Sequence, residues 1–221
     1  MIISESWDKI LAKQFSEPYI FGIETVLKRD AAILCPKPAD IWNALKLCSF
    51  QDTKVVVVGQ SPYHDGCANG LAFSSDSHIT PSLMVIFKEL LLESGNKRTN
   101  PNLSDWAKQG VLLLNSALTT TRGNASAHSG IGWEKLTGYI LSLLARRKSP
   151  TVFMLWGSDA RKVGEQSIIP NLHGSDHLIL KAVHPMVETY THGEYSFTGC
   201  GHFRKANEFL GEHKRGRIKW V

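Results

Sequence analysis

The sequence has little of what marks a disulfide-stapled, zinc-built or membrane-spanning chain. It has only four cysteines in 221 residues. Cys35, Cys48, Cys67 and Cys200 form no Cys-x-x-Cys pair and no Cys/His ligand spacing, so a secreted disulfide framework and a structural zinc site are both set aside. The thiols read as buried or incidental. No apolar run approaches the ~20 residues that a membrane-spanning helix needs, and Met1-Ile-Ile-Ser-Glu-Ser-Trp-Asp8 carries acid where a secretory leader carries base. The expected location is therefore cytoplasmic, away from membranes. Proline-, glycine- or serine-rich linkers, low-complexity tracts and internal repeats are missing as well, and the length lies within what one hydrophobic core supports. One domain is expected over 1–221, with residues 1–50 as a helical part of it. Charge is not one-sided: 25 basic and 20 acidic side chains leave a net +5, which permits attraction to a polyanion without specifying one. The densest basic run, His213 to Lys219, reads as a solvated tail or a phosphate contact and is given no role.

What is present is a set of short, strongly apolar runs: Lys54–Gln60, Gly110–Asn115, Thr151–Gly157 and Leu178–His184. Each suits a strand covered on both faces of a parallel sheet. Helical periodicity fills the intervals. Ser82 is placed to cap a helix whose Leu83, Ile86, Phe87, Leu90 and Leu91 share a face. Trp133, Leu136, Ile140, Leu143 and Leu144 repeat the pattern, a third helix starts near Ser158 or Asp159, and Phe203, Ala206, Phe209 and Leu210 mark a fourth. The alternation predicts a three-layer α/β/α fold around a central, mostly parallel four-stranded sheet. Three of the runs end in polar residues, Gln60, Asn115 and His184, and the other ends in Gly157-Ser158. In such sheets the carboxyl ends of the strands form the ligand crevice, so residues far apart in sequence are expected to meet there.

An amide at position 115 offers a donor and an acceptor side by side, the pattern that reads the edge of a base; a capping or turn asparagine is the alternative. His184, before Pro185, is open to a plain loop role bonded to backbone. After the first strand, Gly59-Gln-Ser-Pro-Tyr-His64 and Gly70-Leu-Ala-Phe-Ser74 combine glycines and a proline, which bring backbone close to a ligand, with Tyr63 and Phe73, whose flat faces can wall a planar ring. Alone, this could also serve a nucleotide or a flavin.

As an ordered set these residues are more specific. Gly59–His64 resembles the water-activating motif Gly-Gln-Asp-Pro-Tyr-His of family 1 uracil-DNA glycosylases. Ile79-Thr-Pro-Ser-Leu83 with Ile86–Leu90 is similar to that family's proline-rich loop and helix, and Trp106–Asn115 to its base-recognition strand. Leu118-Thr119, Gly132-Trp-Glu134, Val152–Ser158, His184-Pro185, Gly199-Cys200 and His202-Phe203 follow in family order, so the resemblance runs from about residue 50 to the C-terminus. It implies an enzyme that flips uracil, or a closely related pyrimidine, out of DNA and hydrolyses its N-glycosidic bond to leave an abasic site. Asn115 would bond uracil N3 and O4, Phe73 would stack on the ring, and Tyr63 would exclude a C5 methyl. His184 and the backbone beside Gln60 would serve O2, and Ser82 and Ser158 would hold phosphates. His128 aligns with a phosphate-contacting histidine, a structural role staying open. No metal or cofactor is called for. The implied partner is uracil-containing DNA, single- or double-stranded, with a proteinaceous glycosylase inhibitor as a further one, and the chain is expected to act as a monomer.

Two places depart from the pattern. Ser61 stands where the family has the carboxylate that orients water, so hydrolysis is expected to be weakened or altered; Asp65 is a replacement carboxylate or a turn residue. His184-Pro-Met-Val-Glu-Thr-Tyr190 replaces the family's His-Pro-Ser-Pro-Leu-Ser, which leaves Met186, Val187 or Tyr190 to fill the space of a flipped base, while Glu188 would repel phosphates. The competing reading is a catalytically impaired homologue that keeps the pocket as a DNA-binding or recruitment module.

Overall fold

The computed structural model describes residues 3–190 and 196–221, with the side chains of residues 188–190 outside that description. The wedge role of Tyr190 and the charge of Glu188 thus fall outside the described residues. The strands are β1 (Leu34–Cys35), β2 (Val55–Gly59), β3 (Val111–Asn115), β4 (Thr120–Thr121), β5 (Val152–Trp156) and β6 (Leu178–Ala182). The helices are α1 (Glu5–Leu11), α2 (Pro18–Arg29), α3 (Asn43–Leu47), α4 (Pro81–Ser94), α5 (Ser104–Ala107), α6 (Trp133–Ala145), α7 (Ser158–Val163) and α8 (His202–Glu212). β1 and β4 make a small antiparallel pair that was not expected.

The main sheet has the order β3-β2-β5-β6 with every neighbour parallel. β2, β3 and β5 are buried at each position, which is why they read as unbroken Val/Leu runs, whereas β6 at the edge is only partly covered. The chain steps one way from β2 to β3 and the other way from β5 to β6. Right-handed crossovers then set α4 and α7 on opposite faces, and a crevice opens where β2 and β5 part at their carboxyl ends.

Helix α4 starts two residues earlier than expected. Thr80, not Ser82, is its N-cap: its hydroxyl accepts the Leu83 N–H at 3.3 Å, and Pro81 occupies the first helical position, where it costs no hydrogen bond. Gly95, at φ 70°, closes the other end by donating to Leu91 O. Leu91, expected inside, is 43% exposed because the buried stripe is narrower, carried by Leu83, Ile86, Phe87 and Leu90.

One hydrophobic cluster runs from Ile3 to Trp220. Trp7 ties α1 to it by donating Nε1–H to Cys48 O at 2.8 Å. The basic stretch near the C-terminus is not a free tail: Ile218 N–H donates to Asn207 Oδ1 at 2.7 Å, and Trp220 packs edge-on against Trp106 with centroids 5.0 Å apart. No helix among the described residues is long and apolar enough to cross a membrane.

At the β5–α8 contact, His202 is buried and accepts the Trp156 Nε1–H on Nδ1 at 3.0 Å; burial pushes its pKa down to about 4. The unfolded chain takes up this proton near pH 6.5 and the folded chain does not, so stability is lost as pH falls from about 6.5 to about 4. The expected loss from this group is about 3 kcal/mol. It is measured as the drop in urea midpoint between those pH values, and His202→Gln, which keeps an acceptor for Trp156, should flatten it.

Candidate active site

The crevice gathers residues from every strand end of the main sheet. β2 and β3 finish in register, Gly59 opposite Asn115, and the pairing continues as Ser116 N–H donates to Gly59 O (2.9 Å) and Ala117 N–H to Gln60 O (3.0 Å). The Asn115 side chain lies directly over Gly59, where any Cβ would collide with its Oδ1 and press on Ala72. Glycine at 59 is therefore the condition for the amide's position. Asn115 is 5% exposed and its amide makes no hydrogen bond among the described residues, so it caps nothing and shapes no turn. The amide is thus free to meet a partner from outside the chain.

Phe73 forms the next wall. Its backbone sits at φ 63°, a region uncommon for a non-glycine residue, and its ring centroid is 5.4 Å from that of Trp156 and 5.7 Å from that of His184. A hydrogen-bond chain fixes Tyr63 beside it: Thr80 Oγ1 donates to the Tyr63 hydroxyl at 2.7 Å, which donates to Phe73 O at 3.2 Å. Burial pushes the Tyr63 phenol up to about 12, so it stays neutral.

His184 is half-buried. Met186 N–H donates to its Nδ1 at 3.1 Å, which leaves the proton of the neutral ring on Nε2. The backbone contact foreseen for a plain loop histidine thus exists, and it sets the tautomer. Burial lowers the pKa, against a smaller opposing effect of Asp159, so the ring is a neutral donor at pH 7. Gly157, at φ 103°, makes room: a Cβ there would lie 3.0 Å from His184 Cβ.

Gln60 and Ser61 are at the mouth, the Ser61 hydroxyl donating to Ala125 O at 2.8 Å. Asp65 is a turn residue, accepting Cys67 N–H at 3.0 Å and facing His78 at 3.4 Å. Ser158 is exposed at the start of α7. Ser82 lies in the first turn of α4 with its side chain buried against the Tyr63 hydroxyl. Met186 and Val187 project at the rim, 47% and 45% exposed.

His128 is corrected. Its side chain has no exposure, and its ring nitrogens are engaged by Thr119 Oγ1 at 2.9 Å and Asp30 Oδ2 at 3.0 Å, so no ring atom remains for a phosphate. Sequence reasoning missed Thr80, which both caps α4 and holds Tyr63; its signal was a threonine directly before a proline. It also missed Asp159, a carboxylate lining the same crevice as Ser61.

Fold and site define an α/β protein that gathers an amide, two aromatic rings and a half-buried imidazole at one end of its parallel sheet. The family described as the Uracil DNA glycosylase superfamily matches residues 45–211. A uracil-DNA glycosylase of Amoebophilus asiaticus is 41% identical over 99% of this chain and 98% of that protein, and one of Coxiella burnetii is 41% identical over 100% and 98%. The crystal structure of mimivirus uracil-DNA glycosylase superposes with a TM-score of 0.85 at 25% identity, covering 97% of this chain and 86% of that one. A variant of the mimivirus enzyme in complex with UGI superposes equally well, TM-score 0.85 at 24% identity over 98% and 88%. The chain belongs to the uracil DNA glycosylase superfamily. It is a DNA glycosylase, a hydrolase of DNA repair.

Proposed function

We propose that the protein flips uracil out of DNA into the pocket between Asn115, Phe73, Tyr63 and His184, and hydrolyses the C1′–N1 bond at a rate altered by Ser61. The observation that carries this reading is the Asn115 amide, held buried and unpaired over Gly59. Its donor and acceptor match uracil O4 and N3–H; cytosine presents the opposite pattern and would leave both groups unsatisfied. Phe73 stacks on the ring, and Tyr63 leaves no space for a methyl at C5. As the bond breaks, charge gathers on uracil O2, and the His184 Nε2–H together with backbone beside Gln60 receives it.

DNA is held at the rim. Ser82 acts through the first-turn amide of α4, its side chain being buried, and Ser158 through its exposed hydroxyl. Met186 and Val187 fill the gap that the flipped base leaves. On this reading residues 1–221 work as one domain and as a cytoplasmic monomer, on single- or double-stranded DNA. A proteinaceous glycosylase inhibitor is a fitting partner, since a variant of the mimivirus enzyme forms a complex with UGI.

Single-turnover cleavage of a uracil-containing oligonucleotide tests it. Abasic sites are expected, and Ser61→Asp should accelerate their formation by about tenfold or more, because a carboxylate can orient water and offset positive charge where a hydroxyl cannot. Binding of that oligonucleotide without any abasic product favours instead the recruitment module to which the neutral Ser61 points.

A further inference from the structure

A cavity of about 350 Å³ adjoins these strand ends on the α7 side, with Gln60, Ser61, Ser116, Glu134, Asp159 and Lys162 in its wall. The Ser116 hydroxyl is buried there with no hydrogen-bond partner among the described residues, so the chamber suits a polar guest such as water or a sugar oxygen. On the uracil-excision reading above, the C1′ of the flipped nucleotide lies at the mouth of this cavity, beside Ser61. Glycosidic cleavage gives the sugar positive character, and an anion close to it lowers the barrier. Ser61 carries no charge, and its hydroxyl proton is committed to Ala125 O. Two carboxylates line the cavity. Glu134 is occupied, accepting the Gly130 N–H at 2.9 Å. Asp159 has no hydrogen-bond or ion-pair partner among the described residues, and its charge reaches His184, where it opposes the larger effect of burial.

We propose that Asp159 is the working carboxylate of this active site, offsetting the charge that develops on the sugar and taking a proton from the attacking water. The water oxygen forms the new bond to C1′, and the C1′–N1 bond breaks with its electron pair leaving on uracil. The uracil anion is held by the His184 Nε2–H, and one water proton passes to the Asp159 carboxylate and on to solvent. No redox partner is needed.

The test is single-turnover release of uracil from an oligonucleotide by the full chain, with affinity measured on the same oligonucleotide carrying a 2′-fluorinated deoxyuridine that resists cleavage. Asp159→Asn should slow release by about 10²-fold, the scale of a lost general base. Affinity should stay within about threefold, since an interaction made only in the transition state is lost. Glu134→Gln, which still accepts from Gly130, should stay within about threefold in rate as well. In the Ser61→Asp background, where a second carboxylate supplies the charge, Asp159→Asn should cost less than about tenfold. An unchanged rate in Asp159→Asn, an equal loss in both backgrounds, or a loss of affinity as large as the loss of rate overturns the proposal. A parent chain that releases nothing while Ser61→Asp is active also overturns it but leaves uracil excision standing. Inactivity of every form overturns the excision reading itself.

Discussion

His184→Ala is expected to slow single-turnover uracil release by about 10²–10³-fold while changing DNA affinity little. The effect is large because the imidazole is prepared before substrate arrives. Met186 N–H pins Nδ1 as the acceptor, Gly157 leaves the space in which the ring sits, and Phe73 lies against it at 5.7 Å. A donor already in place when charge appears on O2 gains over water, which must reorient. The direction of the pKa shift adds a second readout. Burial holds His184 below the ordinary 6.5, so the ring is already neutral across the neutral range and the rate should not fall between pH 8 and pH 6.5 through this group. Protonation on further acidification places a hydrogen on Nδ1 and breaks the bond from Met186. A rate that instead follows a histidine titrating above 7 would contradict the neutral-donor role. His184→Gln, whose amide can donate, should recover part of the loss.

The main sheet was legible because burial on both faces leaves a direct mark in composition: Val55–Val58, Val111–Leu114 and Val152–Trp156 are apolar without alternation, and polar residues stand only where each strand leaves the core. The candidate site residues stood out for the same reason, since Gln60 directly follows β2, Asn115 ends β3 and His184 stands two residues past β6. The misses have a common cause. The burial of His128 depends on Asp30, which approaches from a helix end 98 positions away, and no local pattern announces that pairing. Asp159 entered only as a place where the third helix could start; the fold shows that it shares a cavity with Ser61. The two-residue strands β1 and β4 are too short to carry periodicity at all. The basic run at 213–219 read as a solvated tail or a phosphate contact because its anchors, Asn207 and Gln109, belong to other elements.

Asn115→Ala is expected to lower kcat/KM for uracil-DNA by about 10³-fold, since two buried hydrogen bonds to the base vanish at roughly 1–3 kcal/mol each. Both affinity for the flipped base and rate should fall, in contrast to His184→Ala, because the amide reads the ring in the ground state as well as in the transition state. Preference for uracil over cytosine should fall with it, as there is no longer a donor and acceptor to be left unsatisfied by the wrong base. Stability should move the other way. The wild-type amide is 5% exposed, sits over Gly59 and bonds to no described residue, so removing it takes a desolvation cost out of the folded state and opens no sealed void, only a wider pocket. The urea midpoint of Asn115→Ala should therefore equal or exceed that of the parent. A capping or turn asparagine would give the reverse, a loss of about 1 kcal/mol with activity lost only in proportion to unfolding. Paired measurement of midpoint and kcat/KM on this one variant thus separates an amide kept for the fold from one kept for the base.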